Sequence, residues 1–385
     1  MRFAPKAGSV LTAVGLALGL ATIPAPAHAA PITCDEAALV DAIDAANLAG
    51  GGTIDLTPDC VYSLDTVEPA VGGSGPNGLP VITEPITING SNAVIERATA
   101  TGTPKFRIFE VGGTDGKLTL NRVNLRNGNP TVDGSEDGGA ILVNAGRVLA
   151  VNSSNLTGNT AQEGGAIASL SGSSTTISSS TVRDNTVFFG GGGLYNLGGS
   201  VTARSSVVSD NTAHHGSGIH NLGTLNLQSS VVRNNSAPLM GGVGGGVYNT
   251  GTATISSSSV QKNTAGIGGG LFNLTGSMIV NFSSINGNSA ENEGGGIRNY
   301  ATLSLNSTSL SNNKVTAAGS QGGGLYNGTG TTTLTGSFVT GNGAVLEAGG
   351  IFENPGSTVN LVSSFVFGNT PDNCRPPGAV PGCTN

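Results

Sequence analysis

One column of positions in the sequence gathers most of the groups that could do chemistry. Nine repeats each contribute one residue, and from position 195 onward these are rings, one histidine and one arginine. The column reads Leu142, Ala168, Tyr195, His220, Tyr248, Phe272, Arg298, Tyr326 and Phe352. Each member directly follows an aliphatic residue, so strand alternation predicts that its side chain points outward.

A row of rings on a surface suits contact with sugar rings or with another protein. Two other interpretations remain open for this column. It can be a stacking ladder that stiffens the fold, since stacked aromatic pairs stabilise a sheet on their own. It can also be a strip covered by the loops beside it. Repeat insertions tend to gather on a binding face, and the length variation between repeats flanks this column, where Phe188 and Phe189 lie.

Carboxylates are too sparse to predict a metal site. Asp184 and Asp210 each stand one residue before the same repeat position, so they should lie on neighbouring turns of the fold. Two carboxylates fall short of the oxygen ligands that a hard cation needs, which favours a solvated corner. Glu136, Asp137 and Glu163 form a similar, equally weak cluster.

Histidines are also few. The chain has His214, His215 and His220 beyond its N-terminal segment, and no Cys or carboxylate stands at metal-ligand spacing from them. Surface histidine is therefore the favoured interpretation. We predict no metal and no cofactor, and no P-loop, G-x-S-x-G or HExxH motif is present.

The elements that position these residues follow from a repeat of about 26 residues. An asparagine marks each repeat, at intervals of 24 to 29 residues. These asparagines are Asn159, Asn185, Asn211, Asn235, Asn263, Asn288, Asn313, Asn342 and Asn369. Three residues before each stands Leu, Val or Ile, and five before it stands Ser or Thr. A second aliphatic column follows each Gly cluster.

Short alternating segments broken by Gly and Asn predict strands, and one coil per repeat predicts a β-solenoid. The fold class is therefore all-β, a single-stranded right-handed parallel β-helix with an N-terminal helical cap. Asn tolerates the left-handed backbone of a sharp corner and can bond to the next Asn in the stack. Ser is expected to form a similar hydroxyl ladder, so both columns are predicted to be structural.

The glycine motifs carry a family resemblance. Gly138-Gly139-Ala140-Ile141 and Gly164-Gly165-Ala166-Ile167, each followed by an xxN corner, resemble the GGA[ILV] and FxxN repeats of polymorphic outer membrane proteins. More broadly, residues 80–372 resemble the pectin-lyase-like parallel β-helix superfamily. The resemblance implies a fold and leaves the activity open.

Both ends of the stack need caps. Residues 35–48 form the one good helical pattern after the N-terminal segment, with Leu39, Ile43 and Ala46 on one face. Four cysteines allow three disulfide connectivities. Local pairing, Cys34–Cys60 and Cys374–Cys383, is expected if the two ends lie far apart.

The N-terminus resembles a signal peptide, with Arg2 and Lys6 before an apolar stretch and Ala27-His28-Ala29 as a cleavage pattern. The predicted organisation is a signal peptide (1–29), a cap with irregular first coils (30–115), regular repeats (116–372) and a disulfide-closed tail (373–385). Cleavage would leave 14 Lys+Arg against 23 Asp+Glu, a net charge of −9. Such a chain disfavours nucleic acid and anionic membranes as partners.

Two functions from different classes are consistent with these observations. The first is a secreted, non-catalytic monomer without a transmembrane segment that binds a polysaccharide or a cell-surface protein through the aromatic column. The second is a polysaccharide lyase or glycoside hydrolase, which would need converging Asp, Glu, Arg or His side chains. Ice or surface binding is disfavoured, because the sequence suggests no regular outward threonine column.

Overall fold

The computed structural model describes residues 1, 30–69, 74–131, 137–238 and 241–385. The predicted signal peptide falls almost wholly on residues outside this description, as does Glu136 of the weak acidic cluster. Residues Pro31–Asn385 form one compact unit. In the described part of the chain, no helix is long and apolar enough to cross a membrane.

The unit is a parallel β-solenoid, which confirms the predicted all-β fold. Successive coils contribute one strand each to three long sheets, and the first coil has no strand in the third sheet. The first sheet contains Gly52–Asp55, Pro85–Asn89, Lys117–Asn121, Val148–Asn152, Ser174–Ser178, Ser200–Arg204, Thr224–Gln228, Thr252–Ser256, Ser277–Asn281, Thr302–Asn306, Thr331–Thr335 and Thr358–Val362. The second contains Val61–Leu64, Val94–Arg97, Asn124–Arg126, Asn155–Thr157, Thr181–Arg183, Val207–Ser209, Val231–Arg233, Ser259–Gln261, Ser284–Asn286, Ser309–Ser311, Phe338–Thr340 and Phe365–Phe367.

The third sheet and a narrow ledge complete each coil. The third sheet contains Phe109–Val111, Ile141–Val143, Ile167–Ser169, Leu194–Asn196, Ile219–Asn221, Val247–Asn249, Leu271–Asn273, Ile297–Asn299, Leu325–Asn327, Ile351–Glu353 and Cys374–Arg375. We call the segment between the second and third sheets the ledge. Its strands are Thr160–Glu163, Thr186–Gly190, Thr264–Ile267, Ser289–Glu293 and Lys314–Val315, and single bridges connect the other coils.

The aliphatic columns predicted from the sequence form the core between the sheets. In the first sheet, Leu149 and Val151 point inward and alternate with more exposed neighbours. Leu156 of the second sheet and Ile167 of the third are buried as well. In-register pairing stacks each aliphatic on its equivalent, such as Leu156 on Val182. The repeat thus becomes one continuous core.

Serines and threonines close the corner between the first and second sheets. The backbone N–H of Ser154 donates to the Ser180 hydroxyl of the next coil (3.0 Å). That hydroxyl donates to the carbonyl of Ser178 (2.8 Å). The rungs therefore run from backbone to hydroxyl, and not from hydroxyl to hydroxyl as the sequence suggested.

The repeat asparagines form the predicted ladder. Both the backbone N–H and the side-chain amide of Asn235 donate to Oδ1 of Asn263 (3.0 and 2.9 Å). Asn263 donates in the same way to Asn288 (3.0 and 3.0 Å) and also to the carbonyl of Val232 (3.0 Å). The left-handed backbone lies one residue before the asparagine, as at Lys262 with φ 55°. There the side chain faces solvent and the asparagine stays buried.

The predicted N-terminal helix spans Glu36–Leu48, and Asp35 caps it by accepting from the N–H of Ala38 (2.8 Å). Its buried residues are Leu39, Ile43 and Ala46, the face expected from the sequence. The Cys34–Cys60 disulfide joins the segment before the helix to the first coil, as predicted. The helix therefore covers one open end of the core.

The C-terminal tail continues the asparagine ladder. The N–H of Asn369 donates to Oδ1 of Asn373 (3.1 Å), and the N–H of Asn373 donates to Oδ1 of Asn385 (2.9 Å). The predicted Cys374–Cys383 disulfide closes this tail. At the end of the ladder, the backbone N–H groups of Asn369 and Asn373 thus bond to side-chain acceptors.

Candidate functional site

The structure places the seven residues of the aromatic column on consecutive strands of the third sheet. Each is the middle residue of its strand, as Tyr326 is in Leu325–Asn327 and Phe352 is in Ile351–Glu353. Each pairs in register with the column residue of the next coil. The first residue of each strand points into the core. The middle residue therefore points to the opposite face, as alternation predicted.

The side chains of the column form an unbroken stack. Ring centres are 5.2 Å apart between Tyr195 and His220, and 4.8 Å apart between His220 and Tyr248. Tyr248 and Phe272 follow at 5.3 Å. These separations lie in the range where aromatic pairs attract one another.

Arg298 continues the stack in place of a ring. Its guanidinium lies 5.5 Å from the centre of the Phe272 ring and 5.3 Å from that of Tyr326. Tyr326 and Phe352 are parallel at 5.1 Å. A cation within about 6 Å of a ring face is attracted by the ring quadrupole, so the arginine bridges the two aromatic segments.

The column is more covered than an outward-pointing stripe suggests. Tyr195, His220, Phe272, Tyr326 and Phe352 are each only 6–8% exposed. The cause is the ledge, which lies against the outer face of the third sheet. A strand pattern gives the direction of a side chain but does not reveal a second layer above it. Of the seven side chains, Tyr248 and Arg298 are the more accessible.

The ledge contributes polar groups that contact the column. Burial raises the pKa of the Glu163 carboxyl, and a hydrogen bond with Tyr195 opposes that rise. Burial and the same hydrogen bond raise the pKa of Tyr195. Glu293 forms an ion pair with Arg298 (2.8 Å between Oε2 and Nη2), and Arg298 also contacts the Tyr300 hydroxyl. These groups fix the rings and the guanidinium in place.

Two histidines of the ledge meet His220 of the third sheet. Nδ1 of His214 lies 3.0 Å from Nε2 of His215, and the His215 ring is 6.2 Å from His220 and 5.6 Å from Tyr248. The surface position expected for histidine holds in part for His214 and His215, whereas His220 is 8% exposed. Nδ1 of His215 and Nδ1 of His220 are buried without a hydrogen-bond partner.

Burial lowers the pKa of His220 to about 3, and the proximity of His215 adds to the effect. Burial also lowers the pKa of His215, with His214 contributing. Both imidazoles are therefore neutral at pH 7. A neutral imidazole can accept or donate a hydrogen bond, according to its tautomer.

Two exposed rings stand at the outer edge of this cluster. Phe188 is 62% exposed and Phe189 44% exposed, and their rings meet edge to face at 4.9 Å. Together with His214 and His215 they line a cavity of about 300 Å³. We call these four residues the ledge tip. It is the accessible end of the ring system that begins in the covered column.

Beyond the effect of burial, Asp137 and Glu163 of the weak acidic cluster both raise the pKa of Tyr195, while Asp184 and Asp210 occupy corners. Asp184 lies at an exposed corner and pairs with the adjacent Arg183 (2.8 Å). Asp210 takes the same left-handed corner in the next coil. Across the described residues, no group of three His, Cys, Asp or Glu side chains is placed to hold a metal ion.

Sequence reasoning missed a second asparagine ladder beside the column. It consists of the last residues of the third-sheet strands, Asn196, Asn221, Asn249, Asn273, Asn299 and Asn327. Each side-chain amide donates to the carbonyl oxygen of the next (2.7–2.9 Å). The signal was an asparagine directly after each of the six column residues from Tyr195 to Tyr326, as in Tyr195-Asn196. This ladder holds the register of the column from one side.

The two ends of the column were missed as well. Glu110 pairs in register with Leu142, is fully buried, and accepts from Asn144 (2.7 Å) while forming an ion pair with Arg107 (3.4 Å). At the other end, Arg375 pairs with Phe352 on the last strand. The column therefore starts on a buried carboxylate and ends on a guanidinium.

Comparison with known proteins identifies the fold alone. Neither a family model nor a curated protein sequence matches the chain. Among solved structures, the A-module of mannuronan C-5 epimerase AlgE6 from Azotobacter vinelandii is 16% identical, covers 87% of this chain and 96% of its own, and has a TM-score of 0.50. The chain shares a parallel β-helix fold with it.

Two further structures align over similar lengths. The AlgE4 A-module from the same organism is 15% identical, with 88% of this chain and 94% of that chain covered and a TM-score of 0.47. PfbA, a surface adhesin of Streptococcus pneumoniae, is 13% identical, with 86% and 90% covered and a TM-score of 0.42.

Proposed function

We propose that this chain is a secreted, non-catalytic β-helix protein of the pectin-lyase-like type that binds a polysaccharide at the ledge tip and the adjoining column. The observation that carries the proposal is the position of Phe188 and Phe189. Two exposed rings share a cavity with His214 and His215, and the His215 ring lies 5.6 Å from Tyr248 of the column. Exposed aromatic side chains of this kind mark interaction sites.

A glycan fits the chemistry of the tip better than a nucleic acid does. The two phenyl rings supply apolar faces for the C–H surface of a sugar, and His214 and His215 supply hydrogen-bonding nitrogens. The net charge of the whole chain is −7, which disfavours a nucleic acid, because nucleic-acid binding depends on basic side chains that neutralise phosphates. A cell-surface protein is the other candidate partner, and the glycan array described below distinguishes it from a polysaccharide.

The test is binding of the chain from residue 30 to a glycan array, with the variant Phe188→Ser/Phe189→Ser beside wild type. Both rings are exposed, so the variant should fold unchanged and lose at least tenfold in affinity. The matched control is Phe367→Thr, which removes another exposed ring from the second sheet, where Thr340 occupies the same position one coil earlier. Full binding by the ledge-tip variant would refute the proposed site.

The covered residues require gentler substitutions. Removing the rings of Tyr195 or Tyr326 would break the stack and destabilise the fold, so a loss of binding would be ambiguous. Tyr195→Phe and Tyr326→Phe keep each ring and remove one hydroxyl. If the column contributes to binding through these hydroxyls, affinity should fall in both variants. The unfolding midpoint should change little for Tyr326→Phe and should fall for Tyr195→Phe, which loses the hydrogen bond with Glu163.

A polysaccharide lyase or hydrolase is the second candidate. It is favoured by the unpaired Nδ1 atoms of His215 and His220, which lie beside Tyr248 in a site that could hold and move a proton. Turnover on a panel of acidic and neutral polysaccharides would establish this alternative, provided that His220→Gln abolishes it. Binding without turnover would leave the non-catalytic proposal in place.

A further inference from the structure

A second groove follows the corner between the first and second sheets, away from the ledge. It has a volume of about 580 Å³ and extends across five coils, from Ser229 to Phe338. Three rows of side chains line it. The corner row includes Ser257 and Ser307, and the buried floor row includes Thr308. The outer row consists of the first residues of the second-sheet strands. We call it the serine groove.

The hydroxyls of the floor row have a different role from those of the corner and outer rows. The floor residues belong to the corner ladder, where the N–H of Ser258 donates to the Ser283 hydroxyl (3.0 Å) and that hydroxyl donates to the Asn281 carbonyl (2.7 Å). Ser257 and Ser307 in the corner row are exposed. The corner row therefore presents hydroxyls to solvent at Ser229, Ser257 and Ser307, in a stack whose coils are about 4.8 Å apart.

Phenyl rings interrupt the serine rows. Phe282 takes the corner position with φ 50°, where Ser257 and Ser307 have φ 50° and 48°, and its side chain is 70% exposed. Phe338 takes the outer position that Ser309 holds one coil earlier, and it is 47% exposed. One coil separates the two rings, so they stand about 10 Å apart along the axis.

The second ring belongs to a larger apolar patch. Phe338 and Phe365 are nearly parallel, with ring centres 5.7 Å apart and an interplanar angle of 17°. Phe365 is 59% exposed. Because Phe365 stacks on one face of Phe338, the opposite face is directed toward the preceding coil and the groove. Nothing in the packing of the core requires these rings, since serine serves at the equivalent positions.

The charge of the groove limits what it can bind. None of its fourteen lining residues, all within the described chain, is acidic, basic or histidine. Charged polymers would find no counter-charge there. Exposed hydroxyls repeated along an axis, with apolar ring faces between them, suit a linear ligand that also repeats hydroxyls and C–H faces.

We propose that the serine groove is a binding site for a neutral polysaccharide chain lying along the solenoid axis, with a sugar ring held between Phe282 and Phe338. This inference shares only the ligand class with the proposed function, and its site is separate from the ledge tip. The absence of charge in the lining also distinguishes it from a site for acidic polysaccharides.

Affinity electrophoresis tests both sites at once. Native gels would contain dextran, laminarin, hydroxyethyl cellulose or galactomannan as neutral polymers, and alginate or polygalacturonate as acidic ones. The groove variant is Phe282→Ser/Phe338→Ser, and the ledge variant is Phe188→Ser/Phe189→Ser. Neither changes the net charge, so mobility without polymer serves as an internal reference. The serine substitutions copy the residues of neighbouring coils, so the groove variant should keep the wild-type unfolding midpoint.

We expect at least one neutral polymer to retard wild type, and the groove variant to lose at least tenfold in affinity for it. Unchanged affinity of the groove variant overturns the inference. If the ledge variant alone loses binding, the ledge site stands and the groove site fails. If the polymer retards both variants as strongly as wild type, both sites are rejected. Retardation by acidic polymers alone rejects the groove and leaves the proposed function standing, and no retardation by any polymer rejects both proposals.

Discussion

A Cβ atom at residue 190 would lie 2.3 Å from Nδ1 of His220, so the glycine at this position leaves the space that the imidazole occupies. Gly190→Ala should therefore force the ledge or the ring to move and lower the free energy of unfolding by about 1–3 kcal/mol. Guanidinium unfolding measures the change. His220→Ala in the same chain should relieve the clash, so strictly additive effects of the two substitutions would contradict this contact.

Acid should weaken the fold through His220. Its pKa is about 3 in the folded chain and 6.5 ordinarily, so the unfolded chain binds more protons between these values. The stabilising contribution of the neutral ring is thus complete above pH 6.5 and is lost as pH falls toward 3, at about 1.4 kcal/mol per pH unit. His220→Gln should flatten the unfolding free energy over this range. The half-exposed His214→Gln is the control, and equal pH profiles for wild type and His220→Gln would exclude the effect.

The asparagine ladder should be intolerant of interruption. Asn263→Ala removes the acceptor for both donors of Asn235 and the side-chain donor to the Val232 carbonyl. Each buried unsatisfied group costs about 1–3 kcal/mol, so we expect a loss of about 3–5 kcal/mol in guanidinium unfolding. Asn226→Ala, on the outer face of the first sheet, should change stability by less than about 0.5 kcal/mol. Comparable losses for the two variants would argue against the ladder as a source of stability.

The guanidinium of Arg298 should not be replaceable by an ammonium. A lysine keeps the charge toward Glu293 but loses the planar group between Phe272 and Tyr326. We expect Arg298→Lys to lower the unfolding free energy by about 1–2 kcal/mol. The exposed Arg204→Lys should have no measurable effect, and a neutral outcome at both positions would show that the stack does not depend on the guanidinium.

The ion pair itself can be isolated with a double-mutant cycle. Arg298→Met and Glu293→Gln, alone and together, should give a coupling energy of about 1 kcal/mol, because the arginine is largely buried while the glutamate is partly exposed. A coupling energy near zero would assign the stabilisation to the rings alone.

The repeat made most of this fold predictable. Leu156 and Val182 stack because residues 26 positions apart occupy the same place in successive coils, and a period is visible without any structure. The helix face at Leu39 and Ile43 followed from 3.6-residue spacing. The left-handed corner was assigned one residue too late. Asparagine tolerates that backbone, but the residue before it adopts the conformation, whether this is Asp184, Lys262 or Gly287.

The periodicity of the sequence could not predict that the ledge covers the column. Alternation tells that Tyr326 leaves the core, but the ledge segments vary in length and their path has no sequence signature. The pair Arg107 and Glu110 was missed for a related reason. Its partners Asn77 and Asn144 lie about 30 residues away on either side, in irregular parts of the chain.

The ledge is the part of the coil where residue number varies most, and the ladders on either side of it keep their register regardless. Asn313 and Asn342 remain bonded (2.9 and 3.0 Å) although the ledge after Asn313 is longer than its neighbours. Insertions in the ledge leave the packing of the core unchanged. Ledge segments of different length should therefore be tolerated on the same core, and under the proposed function such changes would alter ligand preference.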